Sequence, residues 1–207
     1  MRPGMDRWRR LALVLLAGAW LGACSSSKPE RFHSLLASEL PAAAAKAGVP
    51  TIVVDVLPVS VPPLVDQPQF VLRAADDSLV VLEQERWAAP LRDELRSALL
   101  EQLVARWGAV DARSLPQAGA SVWQLRVDVQ RFESLPAREA RIDSNWSLLP
   151  PRNAAPLACR SALRESVADA GVLGLAAAHR RNVAKLADEI GKRLQAMQRG
   201  ERVACSE

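Results

Sequence analysis

Three cysteines and two histidines are the residues of this 207-residue chain best placed by type to do chemistry. Cys24 stands behind Leu21-Gly22-Ala23 and ahead of Ser25-Ser26-Ser27, a thiol set between small and polar residues. Cys159 and Cys205 remain as an even pair, the composition of one disulfide in an oxidising compartment. His33 has no acidic partner evident beside it, and His179 falls on an apolar helical stripe where a packed or partner-facing imidazole is expected. Asp76-Asp77 could hold a cation, but such pairs in turns are solvated. Glu83, Glu85, Asp93 and Glu94 precede or open a helix, where acidic side chains favour the dipole. HExxH, GxSxG, paired CxxC and phosphate-cradling glycine motifs are missing, so no catalytic residue, metal or cofactor is assigned and an enzyme is not expected.

The segment that positions Cys24 has three parts. Residues 1–10 carry Arg2, Arg7, Arg9 and Arg10 against Asp6, and residues 11–21 are almost wholly apolar. A basic start, a short apolar run and small residues before a cut site make an export signal. An apolar run of about 11 residues is too short to cross roughly 30 Å of hydrocarbon as a helix. Leu21-Gly22-Ala23-Cys24 resembles the bacterial lipobox. That resemblance implies that the sulfur takes a diacylglycerol, that the chain is cut before Cys24 and that the new amine is acylated. The alternative is an ordinary signal with Cys24 an incidental thiol. Multiple acyl chains anchor stably where one binds marginally. Ser25, where an Asp would favour inner-membrane retention, implies the outer membrane and a periplasm-facing domain. The expected organisation is a cleaved signal peptide over 1–23, a lipidated tether over 24–31 and one domain over 32–207.

Loss of residues 1–23 removes four Arg and one Asp, so the formal charge falls from +4 to about +1. The mature chain has no basic tract, and nucleic acid is not an expected partner. Its 184 residues suffice for one domain with a substantial core.

Several elements must surround these residues. Residues 31–38 read as a short first strand, 41–50 as a loop bounded by prolines, and 51–59 as a β-branched strand covered on both faces. Residues 61–68 hold three prolines and cannot be regular; 69–73 and 78–83 read as short strands about the Asp76-Asp77 turn. Leu91, Leu95, Ala98, Leu99, Gln102, Leu103 and Arg106 recur at helical spacing between Pro90 and Gly108. From 122 to 132 the alternation is strict, with Trp123, Leu125, Val127 and Val129 on one face; residues 141–149 alternate too, predicting an antiparallel hairpin with one wet face. Residues 157–167 give a further strand. Val172, Leu175, His179, Val183, Leu186, Ile190, Leu194 and Met197 then trace one stripe of a long final helix that should cross the sheet. The fold class is α/β: a single domain with a mixed sheet containing that hairpin, packed by one mid-chain helix and one long C-terminal helix.

These lengths bear on the two remaining cysteines. The strand from Cys159 climbs about 30 Å at roughly 3.3 Å per residue. The final helix returns about 40 Å at 1.5 Å per residue, so its end should lie near Cys159. A Cys159–Cys205 disulfide is the expectation, and two separate free thiols are the alternative.

Val61-Pro62-Pro63-Leu64-Val65-Asp66-Gln67-Pro68-Gln69-Phe70-Val71-Leu72-Arg73, followed by Trp87-Ala88-Ala89-Pro90-Leu91, is similar to the PqiC-type (YmbA-like) lipoproteins, auxiliary components of ABC-type and MCE-protein lipid transport. Phe32 stands where that family often has a Tyr. Leu64, Val65 and Gln67 depart from its usual aromatic, Leu and basic residue, so no role of that aromatic carries over. The resemblance implies an outer-membrane lipoprotein that is not an enzyme. It would dock an MCE-domain protein and an inner-membrane permease, and it is compatible with a homo-oligomer. Pro62, Pro63, Leu64, Val65 and Trp87 are the expected contact with partner or lipid. A structural lipoprotein aiding insertion of an outer-membrane component is the alternative function.

Overall fold

The computed structural model describes residues 29–37, 52–115, 121–151 and 155–205. Cys24 and the loop over 41–50 lie outside the described residues. Eight strands and two helices follow in the order β1 (Arg31–His33), β2 (Val53–Val56), β3 (Gln69–Arg73), β4 (Leu79–Trp87), α1 (Leu91–Trp107), β5 (Val110–Asp111), β6 (Val122–Leu135), β7 (Glu139–Leu149), β8 (Leu157–Ser166) and α2 (Val172–Gln198).

The α/β class is as the pattern predicts, but the strands form two mixed sheets. One has five strands in the order β5-β2-β6-β7-β8, and the other three in the order β1-β4-β3. β2 runs parallel to both β5 and β6, whereas β6, β7 and β8 form an antiparallel meander. The small sheet joins β1 to β4 in parallel and β3 to β4 antiparallel. β3 in turn lies against β6 of the large sheet.

Side-chain alternation explains how the large sheet takes its cover. Val54, Val56, Trp123, Leu125, Val127, Val129, Trp146 and Leu148 are buried, and the helices pack on one another, α1 against β2 and β5, α2 against β7 and β8. The other face carries charges: Asp143 meets Arg131 and Arg164, and Glu133 meets Arg73, Arg131 and Arg141. This is the wet face that the hairpin pattern predicts.

Several boundaries differ from the sequence reading for identifiable reasons. β2 stops at Val56, two residues before Pro58, which has no N–H to give to a ladder. Only one of its faces is fully buried, since Val53 and Asp55 remain half-buried. β1 ends at His33 because the chain then turns onto α1, where the buried Glu94 carboxylate accepts from Ser34 Oγ at 2.8 Å and Leu35 N at 2.7 Å. β4 runs to Trp87, so Glu83 and Glu85 lie in a strand and not at a helix start. β6 continues to Leu135 through a bulge at Gln130, after which even-numbered residues face inward in place of odd ones.

α1 starts behind Pro90 and stops at Gly108, whose left-handed backbone (φ 65°) lets it donate to Val104 O while Ala109 donates to Leu103 O. α2 crosses α1 at Gly191, where a Cβ would press to within 2.6 Å of the Trp107 ring atoms. Trp107 cannot easily move away, because its Nε1 donates to Asp188 Oδ1 at 3.1 Å. Cys205 comes beside the start of β8, where it is joined to Cys159 with a Cα–Cα distance of 5.4 Å.

Two outcomes are expected. Gly191→Ala should cost about 1–3 kcal/mol through overpacking, read as a lower urea midpoint. Thiol titration of unfolded, unreduced protein should leave Cys159 and Cys205 unreactive, and replacing both by Ser should lower stability by up to about 4 kcal/mol on the chain-entropy estimate.

Candidate partner-binding groove

The residues around Trp87 form one aromatic cluster. Phe70 stacks on Trp87 with centroids 4.7 Å apart, Phe132 meets Trp87 edge-on at 5.8 Å, and His179 stacks on Phe132 at 3.9 Å. Trp87 is 4 % exposed, so it is not itself a surface contact; the ring packs the small sheet onto the large one. The Gln130 bulge is what turns Phe132 inward to meet it.

His179 is fully buried, its Nε2 lies 2.9 Å from Ser134 Oγ, and burial pushes its pKa down to about 3. The imidazole is therefore a neutral packing group. His33 does have an acidic partner, because β1 and β4 pair: its Nε2 is 2.6 Å from Glu85 Oε2, and Arg31 also reaches Glu85. Burial pushes the Glu85 carboxyl upward, but bonds from His33 and Arg31 outweigh it and hold the group below its ordinary value. Sequence reading missed this pair because its members are more than fifty positions apart.

Outside the aromatic cluster lies an open groove of about 260 Å³ between the 61–66 turn, β3, the start of β4 and β6. Pro62, Leu64 and Val65 form one wall, Val71, Leu72 and Leu79 another, and Phe132 reaches the floor. The turn is fixed by Val65 N donating to Pro62 O at 3.0 Å and by Arg92 Nε donating to Asp66 Oδ1 at 3.1 Å. Arg73 donates to Glu133 Oε1 at 2.9 Å, giving the apolar groove a charged rim beside the exposed Arg131.

Of the five residues singled out in the sequence, Pro62, Leu64 and Val65 line this groove. Pro63 is exposed at the tip of the turn, and Trp87 lies behind the floor. Leu64 is 50 % exposed, whereas Val65 is only 8 % exposed and belongs to the core. Val71, Leu72, Leu79 and Phe132 were missed. The uninterrupted apolar run Leu79-Val80-Val81-Leu82, too long for a strand with one wet face, is the signal that marks this wall. Among the described residues no group of three potential metal ligands converges.

The burial of His179 sets a pH dependence. Its pKa falls from an ordinary 6.5 to about 3 in the fold, so between those values the unfolded chain binds a proton that the native chain does not. Stability from this group is therefore complete well above pH 6.5 and falls with acidification, approaching about 1.4 kcal/mol per pH unit below about pH 5.5. Urea unfolding between about pH 7 and 4.5 should show this steepening loss, and His179→Gln should flatten it.

Comparison with known proteins places this architecture. The profile of the family described as "ABC-type transport auxiliary lipoprotein component" matches residues 34–191. A crystallised uncharacterized protein shares 19 % identity, with 81 % of this chain and 99 % of that one covered and a TM-score of 0.60. A crystallised protein from Xanthomonas campestris also shares 19 % identity, with 82 % and 97 % covered and a TM-score of 0.60. Both likenesses concern the fold alone. Curated proteins provide no match. The family match spans the large sheet, β3 and β4 of the small one, the 61–66 turn and most of α2, and the chain belongs to the ABC-type transport auxiliary lipoprotein family.

Proposed function

We propose that this protein is an outer-membrane lipoprotein, acylated at Cys24 and facing the periplasm, that docks an MCE-type lipid transport system onto the membrane. Its partners in this reading are the MCE-domain protein and the inner-membrane permease of the same system. The groove walled by Pro62, Leu64 and Leu79 is the contact, with Pro63 at its lip. The observation that carries the reading is Leu64, a large apolar side chain held half out of the fold on a turn pinned at both ends. Rigid apolar side chains over a groove with a charged rim have the anatomy of a protein interface, where a few central residues dominate binding. The family supplies the transport context, and the absence of a membrane-crossing helix among the described residues is compatible with attachment by lipid.

Leu64→Asp isolates the contact from the fold. A carboxylate at this half-exposed position remains hydrated, whereas Val65→Asp would bury an unpaired charge and unfold the turn. Leu64→Asp should leave the melting temperature within a few degrees of wild type and weaken co-purification with the MCE partner by about tenfold or more. Undiminished co-purification would remove the groove from the interface.

A further inference from the structure

We infer that the folded domain itself touches the phospholipid leaflet through Phe32 and the exposed Leu36 four residues on, so that the molecule stands on the membrane in one orientation. This rests on acylation of Cys24 as proposed above. Phe32 is 63 % exposed on a strand whose next residue, His33, is buried, so the phenyl ring points outward from the sheet and stands largely uncovered among the described residues. Leu36, four residues on, is exposed as well. Phe32 follows Cys24 by eight positions, so however the tether runs, its Cα lies at most about 29 Å from that of the acylated cysteine. An uncovered aromatic ring held that close to lipid has hydrocarbon as its nearest apolar phase.

The tether could also reach the exposed run 79–81, and charge decides between the two. Immediately around Phe32 the carboxylates of Glu85 and Glu30 are matched by Arg31 and Arg86. Behind Leu36, Glu94 is buried against Ser34 and Leu35, Glu101 accepts from Ala37 N, and Arg180 donates to Ser34 O. The 79–81 run is flanked by Asp76, Asp77 and Glu83, and hydrogen bonds from Ser78 hold the Asp76 carboxyl below its ordinary value. An anionic leaflet disfavours that end. Phe32 pairs in register with Arg86, seven residues beyond Leu79, which separates the two ends by about 23 Å of strand. With Phe32 in the leaflet, Leu79 and the groove that it walls stand off the membrane toward the periplasm.

The experiment uses the lipidated mature protein in vesicles of phosphatidylethanolamine and phosphatidylglycerol. Phe32→Cys, Leu36→Cys and Leu79→Cys are each labelled with an environment-sensitive fluorophore, and phospholipids with a nitroxide high on the acyl chain serve as quencher. Labels at 32 and 36 should shift to the blue and be quenched about threefold more than the label at 79, as expected for side chains lying roughly 5–10 Å into the interface. Adding Phe32→Ser should reduce quenching of the label at 36. Equal, water-like emission at all three positions, or stronger quenching at 79, overturns the contact. Intact mass of the same samples separates the two failures. Protein lacking the acyl adduct overturns the anchor reading and this inference together, whereas acylated protein with a solvent-exposed Phe32 overturns the inference alone.

Discussion

The packed rings of Phe70, Trp87, Phe132 and His179 are the contact on which the remaining structure depends. They come from β3, β4, β6 and α2, and they join two sheets and a helix that no ladder connects. A three-stranded sheet whose first strand is three residues long has little stability alone. It is held by rings that bury large apolar areas and gain about 0.5–1.5 kcal/mol per well-oriented pair beyond that burial. His179 can join this cluster only when neutral, which is why burial shapes both the packing and its acid sensitivity.

The cluster also connects the core to the surface. Phe132 contacts Trp87 and His179 on one side and contributes to the floor of the groove on the other. The groove therefore has a rigid base, with one wall on a turn held by Arg92 and Asp66 and the other on the β3–β4 hairpin. A preorganised apolar site loses less entropy on binding a partner than a mobile loop would. The same frame places Phe32 and the groove toward different ends of β4, so one device can face lipid and partner at once.

What the sequence revealed was mostly local. The stripe from Leu175 to Leu194 and the alternation from Trp123 to Val129 are long enough for their periods to identify helix and strand, and both elements lie close to where the pattern puts them. Pairings between distant segments were not legible. Nothing near His33 announces Glu85, because the two meet only when β1 docks on β4. The bulge at Gln130 hides in an alternation that merely changes phase, so Phe132 was not recognised as the partner of Trp87. A tryptophan just before a proline-led helix fits a surface anchor and a core ring equally well in sequence. Only burial distinguishes them, and it places Trp87 inside. Of the proposed contact residues, Pro63 and Leu64 are exposed, and Leu64 is the one of these two that also lines the groove.

Membership of the ABC-type transport auxiliary lipoprotein family supplies the context, and the groove supplies a place where that context can act. The role proposed for this groove is to receive a component of a transport system. Its most direct test replaces Leu64 by a photo-crosslinking amino acid in intact cells and identifies the adducts by mass spectrometry. A dominant crosslink to an MCE-domain protein, which disappears when the probe is moved to the buried face of α2, is the expected result. Crosslinks confined to outer-membrane assembly proteins would contradict it.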